Sequence, residues 1–141
     1  MMAIAQAMCT SFKEDLFQKE QDLDTDEIYI ALYTSSANLD ANTAAYTATG
    51  EVANGNGYAT EGIRLTNAVI GTSGTTAYVD FDNPEWAGAS FTTAGALIYN
   101  DTTAGNNAIA VLNFGGDFTV TSGTFRIVFP TPGAAGLIRI D

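Results

Sequence analysis

The chain has no histidine, a single cysteine, three prolines and only five basic residues in 141. Without an imidazole to take the proton from a nucleophile, Ser-His-Asp and Cys-His catalytic constellations are excluded. With Cys9 alone there can be no internal disulfide framework, and the chain is compatible with folding in a reducing cytoplasm. No apolar run approaches the ~20 residues of a membrane span, so no membrane partner is expected. The first residues carry no basic region, and the apolar stretch from Met1 to Met8 is broken by Gln6, so no signal peptide is expected either. Against the five basic residues stand 16 acidic ones, for a formal net charge of −11. Most of such a surface repels a phosphate backbone, and Arg64, Arg126 and Arg139 are too scattered to make a basic groove, so no nucleic-acid partner is expected.

What is present fits one domain, which at this length buries roughly 68–70% of the surface its unfolded chain exposes. Ile4, Ala7, Met8, Phe12 and Leu16 approximate the spacing of one helix face, and Phe17 widens it, while Lys13, Glu14 and Gln18 take the outer face. This predicts a helix over 3–18. From Glu27 onward the pattern changes to short runs rich in Val, Ile, Tyr, Phe and Thr, punctuated by Gly, Asn and Ser. Strands are predicted at 27–34, 62–70, 75–82, 94–100, 107–114, 117–121, 124–129 and 136–140. Gly115-Gly116 and Ser122-Gly123 read as tight connections. In 77–82, Tyr78, Asp80 and Asp82 alternate with Val79 and Phe81, which predicts one wet face. The nearly continuous runs 95–99 and 109–112 are expected in the middle of a sheet. The stretch 35–57 has little periodicity and reads as a long loop, and Pro130 and Pro132 predict irregular chain over 130–135. The expected fold is mainly β, a single antiparallel β-sandwich, jelly-roll-like, with an N-terminal amphipathic helix. Residues 1–26 form the helix and an acidic connector, and 27–141 the sandwich.

Chemistry is sparse. Cys9 lies beside the apolar stripe, where a free cysteine is a small buried hydrophobe. Asp22-Leu23-Asp24-Thr25-Asp26 begins like a calcium loop, but the sixth position is Glu27 instead of glycine and the twelfth Tyr33 instead of glutamate, so it reads as a solvated acidic loop. Asp80, Asp82, Glu85 and Glu61 supply carboxylates, but sequence alone does not set the separation that glycoside hydrolysis needs. Gly55-Asn56-Gly57 and Gly115-Gly116 have no lysine after them and no βαβ context, so they do not read as phosphate cradles. Trp86 reads as a core or interface anchor, with sugar stacking as the alternative. No catalytic residue, cofactor or metal ligand is assigned.

Four strings, Ala5-Gln6-Ala7-Met8-Cys9-Thr10-Ser11-Phe12-Lys13, Ile30 to Leu39, Gly95 to Asn100 and Ala110 to Phe114, together give the chain its one likeness. In this combination the chain resembles a family of small virion structural proteins of tailed bacteriophages. The resemblance implies a structural part without an enzyme's chemistry, and size, acidity and β content point within it to a capsid-decorating cement protein. Such a part is expected as a homotrimer on the major capsid protein, on the virion surface, after synthesis in the host cytoplasm. Ile4, Met8, Phe12, Leu16 and Trp86 are the expected partner or oligomer contacts. The helix stripe either docks on a neighbouring copy or on the shell, or packs on its own sandwich. The alternatives are a tail, neck or fibre component binding a host-surface glycan, and a glycan hydrolase. The doubled Met1-Met2 is consistent with an alternative start.

Overall fold

The computed structural model describes residues 3–141; Met1 and Met2, and with them the alternative-start reading, lie outside the described residues. The chain is mainly antiparallel β with one short helix. Its elements are β1 (Ala7–Met8), α1 (Thr10–Gln18), β2 (Ile28–Tyr33), β3 (Ile63–Arg64), β4 (Val69–Ser73), β5 (Thr76–Asp80), β6 (Glu85–Asn100), β7 (Ala108–Arg126) and β8 (Ile138–Ile140). They make a five-stranded sheet in the order β1-β7-β6-β2-β3 and a three-stranded sheet in the order β4-β5-β8.

The core of the larger sheet follows from its sequence. Residues 95–99 run between β2 and β7, with Leu97 opposite Ala31 on one side and Val111 on the other, and Ile98 opposite Ile30 and Ala110. Strands buried on both faces need continuous apolar sequence, and Ala96 to Tyr99 and Ile109 are fully buried. The 35–57 stretch forms no named strand but is anchored at many points. Thr34 N–H donates to Gly50 carbonyl and Val52 N–H to Leu32 carbonyl, and Ala37, Leu39 and Val52 are buried.

The predicted helix over 3–18 is corrected: it spans only 10–18, and residues 3–8 are extended. Ala5 N–H donates to Leu39 carbonyl at 2.8 Å, and Ala7 and Met8 pair with Val111 and Ala110 on the edge of β7. Ile4 and Met8 are four apart, a spacing that fits a strand's period of two as well as a helix turn. The long β7 edge supplies backbone partners that a lone terminal helix would not have. Cys9, extended at φ −66° and ψ 138°, then caps α1, its carbonyl accepting from Phe12 and Lys13 N–H.

Four further expectations change. The run 62–70 is not one strand; it contributes Ile63–Arg64 to the larger sheet and Val69 and Ile70 to the smaller, with Asn67 at φ 56° where it crosses over. The runs 107–114 and 117–121 and the start of 124–129 fuse into one 19-residue strand, β7, which ends at Arg126 and leaves 127–129 outside it, against a 16-residue β6 that begins at Glu85. Gly115-Gly116 and Ser122-Gly123 are therefore bulges and not turns. Thr93 faces Phe118 while Gly95 faces Asn113, so residues 114–117 bulge opposite Ala94. Gly115 at φ 83° and Ser122 at φ 47° hold these irregularities, which use the same residue types as turns. Finally, Asp80 is not on a wet face, being 2% exposed. Among the described residues no helix is long and apolar enough to cross a membrane.

Candidate interaction surface

The register of the smaller sheet aligns Ile70, Val79 and Ile138 in one row and Thr72, Ala77 and Ile140 in the next, and alternation puts both rows on one face. This apolar face looks toward Phe12 and Leu16, which are one turn apart on α1. The inner end is closed: Phe12 is 1% and Ile138 4% exposed. The outer end stays open as a cleft of about 280 Å³ between α1 and the sheet, continuous through Leu16, Arg139 and Ile140 with a second cleft of about 410 Å³ bounded by Met8, Lys13 and Phe17. Phe17 stands 93% exposed at its lip, and Ile70 and Ile140 are each 52% exposed.

Charge at this groove runs against the rest of the chain. Arg64 pairs with Glu27 at 3.1 Å and Arg126 with Glu85 at 3.2 Å. The other three basic side chains, Lys13, Lys19 and Arg139, all border the groove and make no ion pair among the described residues. Arg139 is held by donating from Nη1 to Gly136 carbonyl at 2.9 Å. Asp22 and Asp24 line the first cleft with Lys19, whereas Lys13 and Arg139 line the second, which has no carboxylate among its described lining residues; Asp141 borders Arg139 in a neighbouring cleft. An apolar groove flanked by free cations can take up an apolar side chain accompanied by a carboxylate.

The other polar clusters are structural. Glu51 accepts from Tyr46 Oη, from Tyr58 Oη at 2.6 Å and from Glu61 N–H at 2.7 Å, while Tyr58 Oη accepts from Leu32 N–H. Tyr33 Oη donates to Thr47 carbonyl and Tyr99 Oη to Glu61 carbonyl. Burial raises the pKa of Tyr33, Tyr46, Tyr58 and Tyr99, with nearby carboxylates adding to the effect, so these phenols stay neutral donors that tie the 45–61 chain to the larger sheet. Burial, with Asp40 adding to it and Lys13 opposing, pushes the Cys9 thiol up to about 11, which leaves it protonated at neutral pH.

The predicted contact residues separate. Met8 and Leu16 border the groove, and Phe12 is its buried floor. Ile4 lies elsewhere, bridged to Leu39 and packed where Gly95 leaves room: a Cβ there would come within 2.9 Å of Ile4 Cδ1. Trp86 is 3% exposed, its ring 5.9 Å from Phe125 in an aromatic row that continues to Phe91 and Tyr58. In the single chain it offers no face to a sugar. Of the carboxylates considered for hydrolysis, Asp80 is buried, Asp82 accepts from Asn67 Nδ2, Glu85 is paired with Arg126, and Glu61 is exposed at φ 79°. The sequence reading did not single out Lys13, Phe17, Arg139 and Ile140 as a set. Their one signal was an apolar Phe17 beside the helix stripe.

The fold and this surface define an antiparallel β protein with an open, cation-flanked apolar groove. No protein-family model, no curated protein and no solved structure matches the chain.

Proposed function

We propose that the chain is a phage virion structural protein, a capsid-decorating cement protein that binds the outer major-capsid lattice as a homotrimer and stabilises the head. The observation that carries the reading is the open groove, which joins a 93% exposed Phe17 to unpaired cations on a chain of net charge −11. Exposed apolar surface of this kind is characteristic of proteins that finish burying themselves against a partner. The virion assignment itself rests on the resemblance carried by the four sequence strings. In this reading the two sheets form a jelly-roll-like β-sandwich, and the chain acts without catalysis, cofactor or metal. It contacts neither nucleic acid nor membrane, and it reaches the capsid surface after synthesis in the host cytoplasm.

The test is cryo-electron microscopy of the intact particle that carries the chain, with its density located and its copies counted. Hundreds of copies clustered in threes on the head are expected. A dozen or fewer at a vertex or on the tail overturn the cement role and favour a fibre or neck component that binds a host glycan.

A further inference from the structure

We infer that the groove between α1 and β8 receives Asp117 and Phe118, at the end of the 114–117 bulge, of a second copy of this chain. The inference deepens the self-association in the proposed function and is independent of the capsid.

The groove sets two requirements, an apolar side chain for the Phe17, Leu16 and Ile140 wall and a carboxylate for Lys13 and Arg139. Outside the groove, two places among the described residues pair an exposed apolar side chain with an exposed carboxylate, Val128 with Asp82 and Phe118 with Asp117; Asp82 already accepts from Asn67 Nδ2, which leaves Asp117 and Phe118. Among the described residues six large hydrophobic side chains are well exposed: Phe17, Ile70 and Ile140 belong to the groove, and Val69 and Val128 lie together in a different cleft with Asp82 and Pro130. Phe118, 52% exposed, stands apart on β7, and its neighbour Asp117 is exposed and makes no ion pair.

The surroundings of Phe118 present it as a rigid knob. Its ring meets Phe114 edge-on, with centroids 6.2 Å apart at 85°, so part of its ordering cost is already met in the free chain. The Gly115-Gly116 bulge lifts residues 114–117 out of register with β6. Among the described residues β7 pairs on its other side only with β1, at Ala110 and Val111, so the edge from Asn113 onward has no strand neighbour there. Knob and groove are different surfaces of one chain, so each copy can donate one and accept one. Such a head-to-tail contact builds a ring where its rotation closes.

Sedimentation analysis of the purified full chain, from micromolar to submillimolar concentration, tests this. The unsubstituted chain is expected as a discrete oligomer. Phe118→Ser (knob lost) and Phe17→Ser (groove wall lost) are each expected to weaken association at least about tenfold. Mixed, the two variants should form a dimer and nothing larger, because only one sound knob and one sound groove remain between them. Should a serine variant fail to fold, Asp117→Lys and Lys13→Glu pose the same question: each alone weakens association, and their mixture or combination restores part of it. An oligomer that survives these substitutions overturns the contact while leaving self-association standing. A chain that stays monomeric throughout overturns both, and then the groove's occupant is an acidic segment of another protein.

Discussion

At Asp80 the fold buries a carboxylate with one oxygen unsatisfied: Oδ1 accepts from the Phe81 amide at 2.8 Å, while Oδ2 has no partner among the described residues. Burial raises its pKa above the ordinary 3.8, against the lowering effect of that amide. An acid whose folded pKa is raised stabilises the fold fully below its unfolded value, and that contribution is lost as pH rises through the folded value. Asp80→Asn keeps the acceptor for Phe81 and removes the charge. It is expected to raise stability at neutral pH by about 1–2 kcal/mol and to give no gain below pH 3.8, as read from urea unfolding across a pH series. A constant difference at all pH values would show that the charge is not the cause. Strict alternation predicts Asp80 outside because it sees only the strand. The chain beside it comes from much later in the sequence, where Phe129 N–H donates to Asn83 Oδ1 at 2.7 Å and Val128 to Pro130 run along the cleft that Asp80 also lines.

Among the elements, β2 and the chain leading into β3 meet more closely than any side chain allows. Gly62 has φ 81°, and a Cβ there would lie 1.9 Å from the Ile30 carbonyl oxygen. Backbone cannot yield as a flexible side chain does, so Gly62→Ala is expected to cost about 3 kcal/mol or more, combining a left-handed conformation with a clash. Thermal unfolding checks it, and a variant within a few degrees of the parent would mean that β3 peels away at little cost. The sequence marks this region as β but does not show the approach, since a glycine required by a neighbour's backbone looks like one required by a turn. The same ambiguity split β7. Gly115-Gly116 and Ser122-Gly123 carry turn chemistry, yet the partner strand β6 continues past both, and only pairing over 16 residues distinguishes a bulge from a reversal. Where apolar residues were continuous, as in 95–99 and 109–112, composition alone was enough, because burial on both faces leaves no room for polar residues.

For the whole molecule, the groove and the N-terminal segment depend on contacts that span the chain. Lys13 and Phe17 lie on α1 and Arg139 and Ile140 on β8, so no local pattern could join them, although Met8 and Leu16 were legible as apolar positions. The division at residue 26 also reads differently in three dimensions. Cys9, Phe12 and Leu23 are buried in one cluster with Ile30, Leu97 and Val111. Gln21 Nε2 donates to Ala108 carbonyl, Asn100 Nδ2 donates to Gln21 Oε1 and to Asp26 Oδ2, and β1 covers part of the β7 edge. Burying Phe12 and Leu23 contributes about 1.5–3 kcal/mol each. Adding the β1 pairing and the Gln21 bonds brings the segment close to the ~5–15 kcal/mol that hold a typical domain folded. A chain of residues 27–141 is therefore expected to lack a cooperative unfolding transition and to expose apolar surface to a hydrophobic dye. Supplying residues 3–26 as a separate peptide should restore the transition, because the missing parts of the core return without the covalent link. If 27–141 instead unfolds cooperatively within a few degrees of the full chain, the segment is an appendage, and the wall that α1 gives the groove can move independently of the sheet opposite it.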